Sequence, residues 1–561
     1  MQRRILFRRL LLLPALKSKT STPTRLLIRN ARLASQARPQ LPFLSTPLAG
    51  NHQFRYLTTE RKRWLVREVY LGLKFTAYAW AILGFTVIGY WTVQQEWLER
   101  KYPTPHEWGF ITRLRFRIAK WGPDRTDWVE TDWVVIGEYA QNVIERLEDK
   151  NIEGVGLEDL TEGGVWIDGI GNAGYDITAK SEPWRRGYYE ALMLGAQAAE
   201  QLDDQVVDKT RHLVFPASTV VGPSNPNPKP IPFGAEKAPL EENCERAYAE
   251  PETFYMRILT TKGFSSRQKM DAALAYASWL DFKNLPEAAV RMYDWALSLA
   301  SEGIPATDVP YDRRSYILQD GARAPSTNIL TALTALAAHK ARNEDISIAL
   351  PILVSILRAR RSLPEPSVKA SGKPFYQAEE PSESPWTAGN VINTVKRLVA
   401  PPTYPPAPRS GESPPVRDAK ERCEEAALNL YIGEIIYASK GREDGLAWTR
   451  EAVDLAEEQL HKLNPFDTDA KQTCKECLTS GLENWAKMAA RLAREEREKE
   501  AQSTPTTSTW FGLWGGDGKR ETTAGRWAAE EAVVKERTRR AQEILEDLEV
   551  PNSPLGSVFA A

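Results

Sequence analysis

Five histidines, four cysteines and one glycine-rich hexad are the residues of this chain whose chemistry suits a metal, a thiolate or a phosphate. His52, His106, His212, His339 and His461 form no HExxH and no pair at ligand spacing, so they encode no zinc-hydrolase centre. Cys474 and Cys477 (CKEC) lie in a helical pattern and make half of a zinc site that lacks its other half. Cys244 and Cys423 stand apart from them and from each other. Buried thiols are the default expectation for the four; a disulfide among them stays open in an oxidising compartment. GIGNAG, Gly169 to Gly174, matches G-x-G-x-x-G after the strand-like GVWID. A dinucleotide turn also needs a helix to begin inside it, and the following YDITAKSEP is not helical, so nucleotide binding is not expected there. No G-x-S-x-G, Walker loop or kinase set occurs, and the carboxylates are interleaved with Lys and Arg as on solvated helix faces. The expectation is therefore no enzyme, no cofactor, no metal and no nucleic acid: a protein that works by binding.

The elements that would present such a surface follow from composition and periodicity. At 561 residues, 42% hydrophobic and 26% charged, the chain is long enough for two or three domains and is neither fibrous nor wholly disordered. Its net charge of −1 hides an asymmetry: residues 1–59 hold nine Arg, two Lys and no acid, so removing that +11 leaves −12 on the remainder. The leader MQRRILFRRLLLLPALKSK is Arg-rich and free of acid, and Arg25, Arg29 and Arg32 share one helical face. That is the signature of a mitochondrial transit peptide, with processing placed near FRYLTTE after Arg55. A secretory signal fits less well, because LLLLPAL is short and basic residues continue well beyond it.

Phe75 to Val93 (FTAYAWAILGFTVIGYWTV) has no charged residue. Its nineteen residues, at 1.5 Å each, span roughly 28 Å, the hydrocarbon thickness of a bilayer. Tyr78 and Trp80 lie toward one end, Tyr90, Trp91 and Trp97 toward the other, as in an aromatic belt. Arg61, Lys62, Arg63, Arg67 and Lys74 precede the span, which places the N-terminus in the matrix and the bulk in the intermembrane space. Beyond it, PTPHEW reads as a stiff exit, and Arg113, Arg115, Arg117 and Lys120 as either a contact with anionic lipid or a solvated face. Val135, Tyr139, Val143 and Leu147 predict an amphipathic helix over 133–149, and Ser181 is an N-cap for a second.

Further on, Ala273, Tyr276, Ala277 and Leu280 line one helix face and Ala289, Tyr293 and Ala296 the next, with Asn284-Leu285-Pro286 between. Leu333, Leu336 and Ala337 with Ala349, Leu353 and Ile356 repeat the pattern, as do Ile432, Gly433 and Ile436 with Gly445, Thr449 and Ala452. Small residues at a crossing with larger ones beside them resemble the tetratricopeptide repeat, although Ala289, Ala349 and Gly445 are not spaced by multiples of 34. A generic helical bundle is the plainer reading. Val220 to Phe233 and Val399 to Pro415 are Pro-rich loops, and a flexible linker carries the cluster Trp510, Phe511, Leu513 and Trp514. Trp527, Val534, Ala541 and Leu548 recur every seven residues on a last helix.

The basic leader, the span near residue 80, the exit PTPHEW, the phrase AKSEPWRRGYYEALMLGA and the repeat-like body together resemble a fungal mitochondrial inner-membrane family. It is the tetratricopeptide subunit of the i-AAA protease supercomplex, and the likeness covers roughly residues 60–500 in architecture. The Pro-rich insertions and the aromatic linker lie outside it. The resemblance implies a substrate adaptor that binds misfolded or unassembled proteins for an ATP-dependent protease, with a second adaptor subunit as partner. An assembly or cristae scaffold unrelated to proteolysis is the alternative.

The expected fold is all-α: a tetratricopeptide-like helical superhelix with one N-terminal transmembrane helix. Its parts are a transit peptide over 1–58, a matrix segment over 59–74, the span over 75–93, a membrane-proximal helical region over 99–235, repeats over 236–500, a linker over 501–525 and a capping helix over 526–550. Tyr276, Trp279, Tyr293 and Tyr437 are the candidate lining of a peptide groove, Tyr293 being the one whose position matches a buried repeat position.

Overall fold

The computed structural model describes residues 59–125, 131–159, 165–167, 171–231, 234, 236–305, 307–319, 321, 323–365, 404–439, 441–463, 468–503 and 525–549. The leader over 1–58 and the Trp510 to Trp514 cluster lie outside these. The chain divides into two units, one of residues 1–97 and 215–244, the other of 98–214 and 245–561.

Helix α1 (Thr59–Lys101) supplies most of the first unit's regular structure. It is long and apolar enough to cross a membrane, and none of its most apolar 18-residue stretch is buried by protein. Trp64, Leu73, Phe75, Trp80, Phe85 and Tyr90 are each more than half exposed. Two of its threonines turn inward on their own backbone, Thr86 donating to the Ile82 carbonyl and Thr92 to that of Gly89, each at 2.8 Å. The described part of the first Pro-rich loop, residues 220–231, also in this unit, forms neither helix nor ladder strand; Asn225 Nδ2 braces it by donating to the carbonyls of Ser218 (2.9 Å) and Val220 (3.0 Å).

The second unit is mostly helical. It contains α2 (Phe110–Trp121), α3 (Trp133–Glu148), α4 (Glu182–Leu202), α5 (Pro251–Thr260), α6 (Ser266–Phe282) and α7 (Pro286–Ala300). There follow α8 (Thr327–Arg342), α9 (Ile346–Arg361), α10 (Ala419–Ser439), α11 (Arg442–Lys462), α12 (Thr468–Ser503) and α13 (Arg526–Glu549). From α2 to α13 every helix packs on its successor, and the even-numbered helices also pack on one another in order. Among the described helices the main contacts thus run between near neighbours in the chain.

Local signals place the helix ends. Ser181 caps α4 by accepting from the Trp184 N–H, and Ser265 and Gln268 form a reciprocal capping box on α6. Asn284 (φ 57°) and Glu344 (φ 66°) take the left-handed conformation that ends α6 and α8 and turns the chain into α7 and α9. At the hairpin crossings Ala273, Ala277, Ala289, Ala296, Leu333, Ala337, Ala349 and Leu353 are all fully buried. At the α10–α11 crossing Gly433 stands opposite Gly445.

Two expectations need correction. In α3 the buried stripe is Ile136, Ala140, Val143 and Leu147, while Val135 is exposed and Tyr139 half-buried. A strict spacing of four advances 400° per step, so the stripe read from Val135 drifts off the buried face. The region over 99–235 is also not purely helical. Strand β1 (Glu158–Asp159) pairs antiparallel with β4 (Tyr175–Asp176), and β2 (Val165–Ile167) pairs with β3 (Gly171–Ala173). Three further short strands lie at Gln205–Asp208, Leu213–Pro216 and Cys244–Arg246.

At the C-terminal end Val534 and Ala541 of α13 are buried against α12. Trp485 anchors the contact: its Nε1 donates to Glu530 at 2.8 Å, and the guanidinium groups of Arg450 and Arg537 lie 5.7 and 5.4 Å from its ring.

Candidate functional site

The last turn of α1 is fixed by one buried carboxylate. Glu99 Oε1 accepts from the Thr104 N–H (3.2 Å) and hydroxyl (2.7 Å) and pairs with Arg113 (2.9 Å), while Oε2 pairs with Arg117. Glu99 is 3% and Arg117 5% exposed. The segment after it folds back onto α4: Trp108 meets Phe116 edge-on at 5.3 Å between ring centroids. Gly187 makes room, because a Cβ there would stand 2.6 Å from Trp108 and 2.7 Å from Pro105. This overturns the lipid-contact reading of the basic stretch. Arg113 and Arg117 are engaged by Glu99, Lys120 pairs with Glu190, and Arg115 donates to Asn142 Oδ1 at 3.3 Å.

The four aromatic residues read as a groove lining do not gather on one surface. Tyr276 is buried and stacks on Tyr255 at 5.3 Å. Tyr293 is buried against the His339 ring at 4.9 Å and donates its hydroxyl proton to Asp281 Oδ2 at 3.0 Å. Asp281 also holds His339 Nδ1 (2.8 Å) and Arg342 (3.2 Å), so these side chains form a polar knot joining α6, α7 and α8. Trp279 and Tyr437 are half-buried on α6 and α10; Trp279 stacks on the exposed Phe282, and the Tyr437 hydroxyl donates to the Met488 carbonyl at 3.3 Å. A ligand can reach only those two.

A different arrangement does what a peptide site does, and it lies on a segment read only as an interrupting loop. Residues 404–413, outside any helix or strand and bent at Gly411 and Ser413, cross the N-terminal turns of α4 and α8, and five backbone carbonyls are captured along the way. Arg186 of α4 donates to the carbonyls of Pro405 (2.6 Å) and Pro406 (2.8 Å) and to the Tyr404 hydroxyl (3.2 Å), and the Tyr404 ring lies 4.3 Å from its guanidinium carbon. Burial, with the Glu190 charge adding to it, pushes the Tyr404 phenol up to about 12. Asn328 Nδ2 of α8 donates to the Ser410 carbonyl (3.0 Å), and the first-turn N–H groups of Asn328 and Thr327 donate to the carbonyls of Gly411 (3.1 Å) and Ser413 (3.3 Å). Those N–H groups have no partner inside their own helix. Arg267 of α6 orients the Asn328 amide by donating to its Oδ1 at 3.0 Å. Gly411 sits at φ 71°, where a Cβ would collide with that same Oδ1. Sequence signals for this strap existed in an aromatic residue before Pro-Pro and a lone glycine among prolines, but their partners lie as far as 220 residues away.

Beyond the strap, α9 and α10 are tied by buried charge. Arg360 pairs with Glu421, and Glu425 accepts from Arg361 (2.8 Å) and Arg417 (2.9 Å). Burial holds the Glu421 carboxyl above its ordinary range in spite of Arg360 beside it.

The default expectation of four free thiols is overturned: Cys423 of α10 and Cys474 of α12 form a disulfide, with Cα atoms 5.1 Å apart. Spacing concealed the pair, because 51 residues separate the two cysteines and helix packing alone brings them together. Cys244 and Cys477 lie outside that disulfide, and burial, with the Glu424 charge behind it, pushes the Cys477 thiol up to about 12, which leaves it inert. Replacing Cys423 and Cys474 together by alanine is expected to cost about 4 kcal/mol, by freeing a loop of that length in the unfolded chain. Urea melts of the double variant and of the reduced wild type should coincide; a reductant that leaves the wild-type midpoint unchanged would count against the bridge.

Gly171–Ala173 of the GIGNAG motif is a strand of an antiparallel pair, and no helix starts within it. Among the described residues no group of three or more His, Cys, Asp or Glu is placed to hold a metal ion. No protein-family model matches this chain, and no curated protein matches it either.

Proposed function

We propose that this protein is a membrane-anchored, tetratricopeptide-like adaptor of the mitochondrial inner membrane. In this reading it binds misfolded or unassembled proteins in the intermembrane space and brings them to the i-AAA protease, together with a second adaptor subunit. The observation that carries the proposal is α1, whose apolar stretch none of the described residues bury, preceding a run of packed helices in the chain. Nineteen uncharged residues left bare call for a hydrocarbon solvent. Basic side chains ahead of that stretch keep the N-terminus in the matrix. The Cys423–Cys474 disulfide suits an oxidising compartment outside the matrix. An array of helical hairpins offers an extended surface matched to polypeptide segments rather than to a small substrate.

Two fractionations test this. Alkaline carbonate should leave the protein in the membrane pellet, and its release into the wash would end the anchored reading. Purification of the tagged chain from inner membranes in mild detergent should carry the ATP-dependent protease with it. Enrichment of respiratory or cristae subunits without the protease would replace the adaptor by a scaffold.

A further inference from the structure

We infer that the N-terminal rim of α4, α6 and α8 is a binding site for extended proline-rich peptide segments that carry an aromatic residue ahead of a Pro-Pro pair, a site that residues 404–413 occupy in cis. The inference deepens the reading of the array as a peptide binder and rests on it, but it does not depend on the membrane or the protease.

Complementarity of hydrogen-bonding groups carries the argument. A prolyl segment has carbonyls to offer and few N–H groups, since proline has none. The groups that touch its carbonyls are donors: the Arg186 guanidinium, the Asn328 side-chain amide and the first-turn N–H groups of α8. Both side chains are built in, Arg186 being 8% and Asn328 1% exposed, and Arg267 sets which way the Asn328 amide points. Of residues 404–410 only Tyr404 is half-buried, and the other six are exposed. Recognition therefore reads main-chain carbonyls and a single aromatic ring, features that a segment of another protein can supply. A polyproline-type chain is extended before it binds and loses little entropy on docking. The cis segment competes at an effective concentration in the millimolar range, so a second peptide gains access only when the strap is loosened.

The test uses the full-length protein in detergent micelles and a fluorescent peptide of residues 403–416, TYPPAPRSGESPPV, followed by anisotropy. The variant Tyr404→Ala/Gly411→Val weakens both anchors of the strap and leaves α4, α6 and α8 untouched. It should bind the peptide at least tenfold more tightly than the wild type does. Adding Arg186→Gln, or replacing Tyr-Pro-Pro in the peptide by three alanines, should remove that gain. Circular dichroism checks that each variant is folded, and Tyr404→Ala alone serves if the double variant melts. Equal affinity of loosened and wild-type chains, or equal capture of the alanine peptide, overturns the inference. Either result leaves co-purification with the protease as a separate question, and loss of that co-purification leaves the peptide result standing.

Discussion

Glu99→Ala should destabilise the packing of α2 against the last turn of α1 by about 3–5 kcal/mol, the cost of leaving a buried charge without its partner. The substitution strands Arg117, which is 5% exposed, beside Arg113, and it removes the acceptor of both the Thr104 amide and its hydroxyl. Glu99→Gln keeps the volume and an oxygen for Thr104, so it should cost less. Glu99→Leu combined with Arg117→Met replaces the buried pair by apolar groups of similar size and should come back close to wild type. Hydrogen exchange of the α2 amides reads the effect where it arises. If Glu99→Ala left those amides as protected as in the wild type, the carboxylate would be a bystander.

Gly445→Val should cost about 4 kcal/mol, above the usual range for overpacking because the obstacle is backbone. A Cβ at Gly445 would stand 2.5 Å from the Tyr437 nitrogen and 2.6 Å from the Gly433 oxygen, so α10 and α11 must separate to admit it. Gain in helix propensity works the other way but is worth less than about 1 kcal/mol. Steric exclusion therefore wins. Gly72 supplies the control: no atom lies within 4 Å of a Cβ there, and Gly72→Ala should leave the denaturation midpoint where it is. A Gly445→Val chain that melts with the wild type would show that α10 and α11 do not meet in this way.

How far such features could be read from the chain depended on how far apart their parts lie. The Ser181 cap, the turn at Asn284 and the small residues at 273, 277, 289, 433 and 445 were legible, because each acts within one or two helical turns of itself. The basic stretch from Arg113 to Lys120 leaves a lipid contact and a solvated face equally open in the sequence, because Glu99 and Glu190, which engage its cations, carry no local mark as partners. Among the candidate groove residues, Tyr276 and Tyr293 went to the core for the same reason: helical period puts aromatic rings on one face without saying what covers that face.

By itself, the sequence determined the long apolar helix, the helical hairpins and the places where small residues let helices cross, since these depend on periodicities of a few residues and on backbone conformations set by side chains close by. Tertiary structure alone decided which cysteines join, which cations are consumed and where the proline-rich strap lies. Those outcomes require groups from 14 residues apart, as for Glu99 and Arg113, to 220 residues apart to meet, and the distance along the chain encodes no direction in space.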